Sequence, residues 1–196
     1  MSALATFRKA GGLAPRPGRL VLVVGPSGVG KDTLLHGARI ALREDRSVLF
    51  PRREITRARE AGGENHIPVT PDEFESREAA GAYLLSWRAH GLGYGVPAAA
   101  SEALASGATV VVNVSRAVLD QARALCVGEV RIVSVTADPQ ALAERLAARG
   151  RETAAEIARR LARAQAVPVI GDDVIAIAND GPPEAGVVRL VQAIRG

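Results

Sequence analysis

The 196-residue sequence predicts a three-layer α/β fold, a central parallel sheet with helices on both faces. Three observations predict it. Short apolar runs alternate with stretches of helical spacing in a βαβα rhythm. The runs are continuous in Val, Leu and Ile, as expected of strands buried on both faces. The first run leads through a glycine-rich turn ending in lysine straight into a helix.

Taken in order, residues 1–18 hold Arg8, Lys9, a glycine pair and Pro15-Arg16-Pro17-Gly18, with no apolar centre. They read as a flexible N-terminal extension and not as a signal peptide. Residues 19–196 read as one domain. Its first strand is 19–24, and the helix 31–42 carries Leu34, Leu35, Ala38, Ile40, Ala41 and Leu42. A second strand is expected at 47–50. Residues 52–97 break the rhythm with an arginine-rich stretch, Gly62-Gly63, and a short helix capped by Thr70 with Pro71 first and Glu73 third. The glycine-rich segment 90–97 follows, and the whole reads as an inserted lobe. The rhythm resumes with a strand at 109–114, a helix around 117–124 and a strand at 130–136. Asp138-Pro139 starts a helix that Gly150 can end, and 153–164 is helical, with Glu156 three residues after a Thr cap. A last strand at 174–178 and a closing helix at 183–195 complete the chain.

Composition excludes several classes. Hydrophobic residues make up 47% and aromatics only 3%, so the core rests on aliphatic side chains. The net charge of +4 is small and the basic residues are spread out, which argues against nucleic acid. The longest apolar run is five residues, Leu20 to Val24, far short of the ~20 needed to cross a membrane. A lone Cys126 rules out a disulfide framework and suits a reducing compartment, so a cytoplasmic protein is expected. Of the 25 basic residues only Lys9 and Lys31 are lysine. The arginine excess reads as a compositional bias, which does not explain the position of Lys31.

Gly25-Pro26-Ser27-Gly28-Val29-Gly30-Lys31 matches the G-x-x-x-x-G-K part of the P-loop pattern, between a strand and a helix as that pattern requires. Glycines allow successive backbone N–H groups to turn inward on phosphate oxygens, and the helix points its positive end at the same anion. The lysine adds a mobile point charge. The next residue, where Ser or Thr should bind Mg²⁺, is Asp32, followed by Thr33. The strand 109–114, which should supply an acid to support the metal, offers neutral Asn113. The carboxylate is therefore read as moved from strand to loop: Asp32, directly or through water, or Thr33 would support Mg²⁺, while Asn113 only hydrogen-bonds; the alternative is that Asp32 merely caps the helix.

The loop with Leu34, the run from Leu142 through Arg145, Arg149 and Glu152, the run Ile157 to Leu161 with Arg160, and Asn179-Asp180 together resemble the guanylate kinase family. So do Ile55-Thr56-Arg57, Ser86-Trp87 and Gly93-Tyr94-Gly95. The resemblance implies a P-loop kinase fold with an acceptor-binding lobe at 52–97 and a helical lid at 138–165. It also implies ATP and Mg²⁺ as ligands. Guanine selection in that family uses polar groups at positions held here by Ser86, Val96 and Ser115, which argues against GMP. Gly30-Lys31-Asp32, residues 62–66, 86–91 and 94–97, and Asn113 to Arg116 are especially similar to its ribose 1,5-bisphosphate phosphokinase branch. That branch belongs to phosphonate catabolism and makes 5-phosphoribosyl 1-diphosphate from ATP and ribose 1,5-bisphosphate.

The resemblance assigns residues 25–33 and Asn179 to the nucleotide. It assigns Lys31, Arg145 and Arg149 to the transferred phosphoryl group, with Arg160 as a further clamp. Arg53, Arg57, His66, Ser86, Tyr94 and Arg116 would bind the acceptor. Arg52 and Arg59 stand between acceptor contacts and solvated surface, and His66 and His90 between a structural role and contact with a sugar hydroxyl or phosphate. The alternatives are guanylate kinase or another small-molecule kinase, and a nucleotide-binding scaffold without turnover; the chain is expected to be a monomer or a homodimer.

Overall fold

A computed structural model describes residues 17–58, 64–125, 128–148 and 169–196. The extension at 1–16, the helix expected at 153–164, most of the expected lid, and Arg59, Arg149 and Arg160 lie outside the described residues.

The central sheet has five strands, β1 (Arg19–Val24), β2 (Val48–Leu49), β7 (Thr109–Asn113), β8 (Glu129–Thr136) and β9 (Val174–Ala178), in the order β2-β7-β1-β8-β9. Every pairing is parallel. Side chains alternate across a strand, so Leu20, Leu22, Val24, Val110, Val112 and Ile132 enter one core and Val21, Val23, Val111, Val133 and Val135 the other. Both cores are buried, which is why these strands read as unbroken apolar runs.

Helices α1 (Lys31–Ala41) and α6 (Pro183–Arg195) cover the second face with Leu34, Ala38, Leu190 and Ile194. They approach closely because Gly37 faces the Val187 side chain, where a Cβ would stand 2.4 Å from Cγ2. Leu104 of α3 (Ala99–Ala105) and Leu119 and Ala122 of α4 (Leu119–Leu125) cover the first face. The helix expected around 117–124 opens as a 3₁₀ turn, Arg116–Val118, capped by the Ser115 hydroxyl. α5 (Pro139–Ala148) starts where Asp138 Oδ1 accepts from the Gln140 amide at 2.8 Å.

The second sheet was not expected from periodicity. Strands β3 (Glu54–Ile55), β4 (Ile67–Pro68), β5 (Tyr83–Ala89) and β6 (Leu92–Pro97) pair in the order β4-β3-β6-β5, with α2 (Pro71–Ala79) against them. Glycines disfavour strands, so Gly93 and Gly95 suggest a loop. Here they are needed: a Cβ on Gly93 would lie 2.9 Å from the Phe74 ring, and one on Gly95 2.4 Å from the Tyr83 ring. β5 and β6 join through His90 (φ 53) and Gly91 (φ 74), a two-residue turn with both residues left-handed. The exposed His90 therefore serves the turn. Leu85, Trp87 and Val96 pack into the first core, which joins the lobe to the main sheet. α2 has the expected capping box, Thr70 accepting from the Glu73 amide and Glu73 from the Thr70 amide.

Candidate active site

β1 delivers the chain to the phosphate loop at the carboxyl edge of the sheet. The loop depends on glycine for two reasons. Gly25 (φ 150), Gly28 (φ 90) and Gly30 (φ 97) have left-handed backbones. A Cβ on Gly25 would also meet the Val135 carbonyl oxygen at 2.3 Å, and one on Gly28 the Leu146 side chain of α5 at 2.7 Å. Buried Asn179, expected near the adenine by resemblance, lies under the loop and donates from Nδ2 to the Val29 carbonyl at 2.7 Å.

Lys31 turns back over the loop, its Nζ donating to the carbonyls of Gly25 at 2.7 Å and Pro26 at 2.9 Å. Burial lowers its pKa from 10.5 to about 8; Asp32 opposes that shift, while the Arg53 and Arg116 guanidinium groups add to it. Those charges mark what surrounds the ammonium: the loop's own acid and two arginines expected at the acceptor. Asp32, exposed at the start of α1, accepts a hydrogen bond from Asn113 Nδ2 at 3.3 Å. β7 runs beside β1 and ends there, so the tertiary structure joins the residues of the relocated-carboxylate reading.

The donor set fits a magnesium ion carried by a nucleotide. Mg²⁺ takes hard oxygen donors, one or two carboxylates with phosphates and waters completing its shell. Asp32 keeps a second carboxylate oxygen beyond its bond to Asn113, and Thr33, the next residue, lines the same cleft. Among the described residues no group of three or more His, Cys, Asp or Glu side chains could hold an ion by protein alone.

Across the cleft, Arg53 is buried yet charged. It forms a two-pronged pair with Glu64, Nε to Oε2 at 3.2 Å and Nη2 to Oε1. Its guanidinium also lies 5.3 Å from the Trp87 ring and 5.2 Å from the Tyr94 ring, which stack on each other. Arg57 reaches Glu64 at 3.7 Å, and its buried Nε has no hydrogen-bond partner among the described residues. His66 directs both ring nitrogens at backbone carbonyls, Nδ1 to Glu64 at 2.9 Å and Nε2 to Arg57 at 3.0 Å. As placed, it braces the segment that carries Glu64.

Strand alternation separates Ser86 from this group: it faces α2, where its hydroxyl bonds the Glu78 carboxylate beside Arg88. Val96 is core and Ser115 is a cap, so neither offers a polar edge to a base. Half-buried Arg145 lies on α5, whose Leu142 and Leu146 pack over the loop at Gly28, and its buried Nη1 has no partner among the described residues.

A cleft of about 520 Å³ runs from Asp32 and Thr33 along α1 to the lobe. Its lining includes residues that sequence reasoning gave no site role: His36, Arg39, Phe50, Glu64 and Asn65. The available signals were weak: His36 and Arg39 lie off the apolar stripe of α1, and Glu64-Asn65 follows an arginine-rich run.

No family model matches the chain. Among solved structures, guanylate kinase from Anaplasma phagocytophilum covers 92% of this chain and 86% of its own at a TM-score of 0.63 and 17% identity. That likeness establishes the fold. Among curated proteins, the ribose 1,5-bisphosphate phosphokinase PhnN of Acidiphilium cryptum is 54% identical over 173 residues, 87% of this chain and 89% of its own length. The chain belongs to the ribose 1,5-bisphosphate phosphokinase family. Within that family, the Ruegeria protein is 49% identical over 187 residues, 93% of this chain and 96% of its own. The chain spans only 26% of a longer relative, the bifunctional ribose 1,5-bisphosphokinase-thymidine phosphorylase of Roseobacter denitrificans, at 49% identity. No helix among the described residues is long and apolar enough to cross a membrane.

Proposed function

We propose that this protein transfers the γ-phosphoryl group of ATP to the 1-phosphate of ribose 1,5-bisphosphate, giving 5-phospho-α-D-ribose 1-diphosphate and ADP. The observation that carries the reading is one continuous cleft joining the phosphate loop to the Arg53–Glu64–Arg57 cluster, in a chain of this family. The attacking atom is a phosphate oxygen that is already anionic, so no general base is required. The site must instead align two polyanions and offset their repulsion, a task of several kcal/mol that orientation and fixed charges can supply.

Each part has a role. The loop amides and Lys31 take the β- and γ-phosphates. Asp32 and Thr33 are the residues that would hold Mg²⁺, which would neutralise phosphate charge during transfer. Arg57 and Arg116 take the acceptor's reacting phosphate, with Arg53, fixed by Glu64, as the scaffold between them. Tyr94 supports Arg53 through its ring, 5.2 Å from the guanidinium. Arg145, with Arg149, closes over the transferred group. A cytoplasmic setting suits both ligands.

The test is an ADP-release assay with Mg-ATP and ribose 1,5-bisphosphate, GMP or buffer. Turnover with the bisphosphate and not with GMP is expected. Faster turnover with GMP would overturn the reading.

A further inference from the structure

The cleft contains a charge that the loop and the lobe do not account for. Among the described residues two arginines line it, Arg53 and Arg39. Arg53 is matched by Glu64. Arg39 has no carboxylate partner among the described residues; its contacts are the Phe50 ring, 5.5 Å away, and the Phe50 carbonyl at 3.4 Å. An arginine stacked on a ring is held in place while its remaining N–H donors stay open to a ligand.

Its position is informative. Asp32, His36 and Arg39 recur at helical spacing on one face of α1, and all three line the cleft. At 1.5 Å per residue, Arg39 stands about 10 Å further along the axis than Asp32. The reacting phosphate belongs at the Lys31–Asp32 end. A pentose with phosphates on its first and fifth carbons extends away from there, past the apolar wall of Phe50 and Pro51. At the Asp32 end the ligand meets a carboxylate; at the far end it meets the Arg39 guanidinium and the His36 imidazole.

We propose that Arg39, with His36 one turn before it, binds the 5-phosphate of the acceptor and makes the enzyme specific for a bisphosphate. This rests on the ribose 1,5-bisphosphate reading. Arg39 is a specificity residue: it touches the end of the substrate that does not react.

The experiment measures KM for ribose 1,5-bisphosphate and the competitive inhibition constants of ribose 5-phosphate and ribose 1-phosphate. Arg39→Ala should raise both KM and the ribose 5-phosphate constant by about 10- to 100-fold, the loss expected for a charge-assisted phosphate contact. Its kcat and its ribose 1-phosphate constant should stay near wild type. Arg39→Lys should recover part of the loss, and Arg39→Gln, which keeps the stem against Phe50, serves if the alanine variant does not fold. Equal losses for both monophosphates, no loss at all, or a wild type that ribose 5-phosphate does not inhibit would overturn the assignment. Failure of the kinase reading is told apart by wild type alone, which would then show no turnover with the bisphosphate.

Discussion

The phosphate loop and the acceptor lobe face each other across one cleft, and they present charge in different ways. The loop works through its backbone: three left-handed glycines, a helix start and a single lysine held by two carbonyls. The lobe works through side chains in balanced sets. Glu64 is shared by Arg53 and Arg57, and Glu54 is held by Arg77 and Tyr83, each at 2.7 Å. A backbone site needs residues adjacent in sequence. A side-chain site draws them from several strands, so each charge depends on a partner elsewhere. Damage should therefore stay local in the loop and spread in the lobe.

The largest expected effect is on the loop side. Lys31→Ala should lower kcat for ADP release by about 10³-fold or more while leaving the fold intact, since it removes a charge that burial disfavours. Thermal unfolding should show no loss of stability. A variant that unfolds would mean the lysine is structural.

Glu64→Gln should do the opposite. It leaves buried Arg53 without its counter-charge, a change of about 3 kcal/mol for a buried pair. We expect a lowered Tm and a raised acceptor KM together, with ATP binding near wild type. Parallel losses of ATP and acceptor binding would erase the contrast between the two walls.

Asp32→Asn should come next, shifting the Mg²⁺ titration of activity by about tenfold while metal-free nucleotide binding changes little. An unmoved titration would sink the relocated carboxylate.

A pH experiment sharpens the loop side further. The folded pKa of Lys31, about 8, lies below 10.5, so between those values the unfolded chain binds more protons and stability rises with pH. A bound polyanion favours the ammonium. Nucleotide binding at roughly pH 8.5 should therefore take up a proton, seen by calorimetry in buffers of different ionisation enthalpy. Lys31→Met should abolish that uptake.

The smallest effect is Thr70→Ala, which removes one capping bond at the outer helix of the lobe. About 1 kcal/mol of stability should go, with kinetics unchanged.

The same contrast explains what could be read in advance. The parallel strands announce themselves because burial on both faces makes them apolar throughout. The loop does so because its glycines and lysine are consecutive, and the caps at Thr70 and Asp138 because capping is local. The lobe's sheet was hidden: β3 and β4 have two residues each, and β6 carries glycines that only the rings of Phe74 and Tyr83 explain. His66, Ser86 and Asn179 were placed at ligands by resemblance, yet their polar atoms meet backbone, α2 and the loop.

By itself the sequence determined the layered α/β core, the phosphate loop with Lys31 and the presence of an acid, Asp32, directly after that lysine, because each depends on neighbours within a few residues. Only the tertiary structure decided that Asn113 meets Asp32, that Glu64 holds two arginines, and that Arg39, at the far end of the cleft, meets no carboxylate among the described residues. Those facts depend on strand order and on which way a helix face turns. No spacing along the chain encodes either.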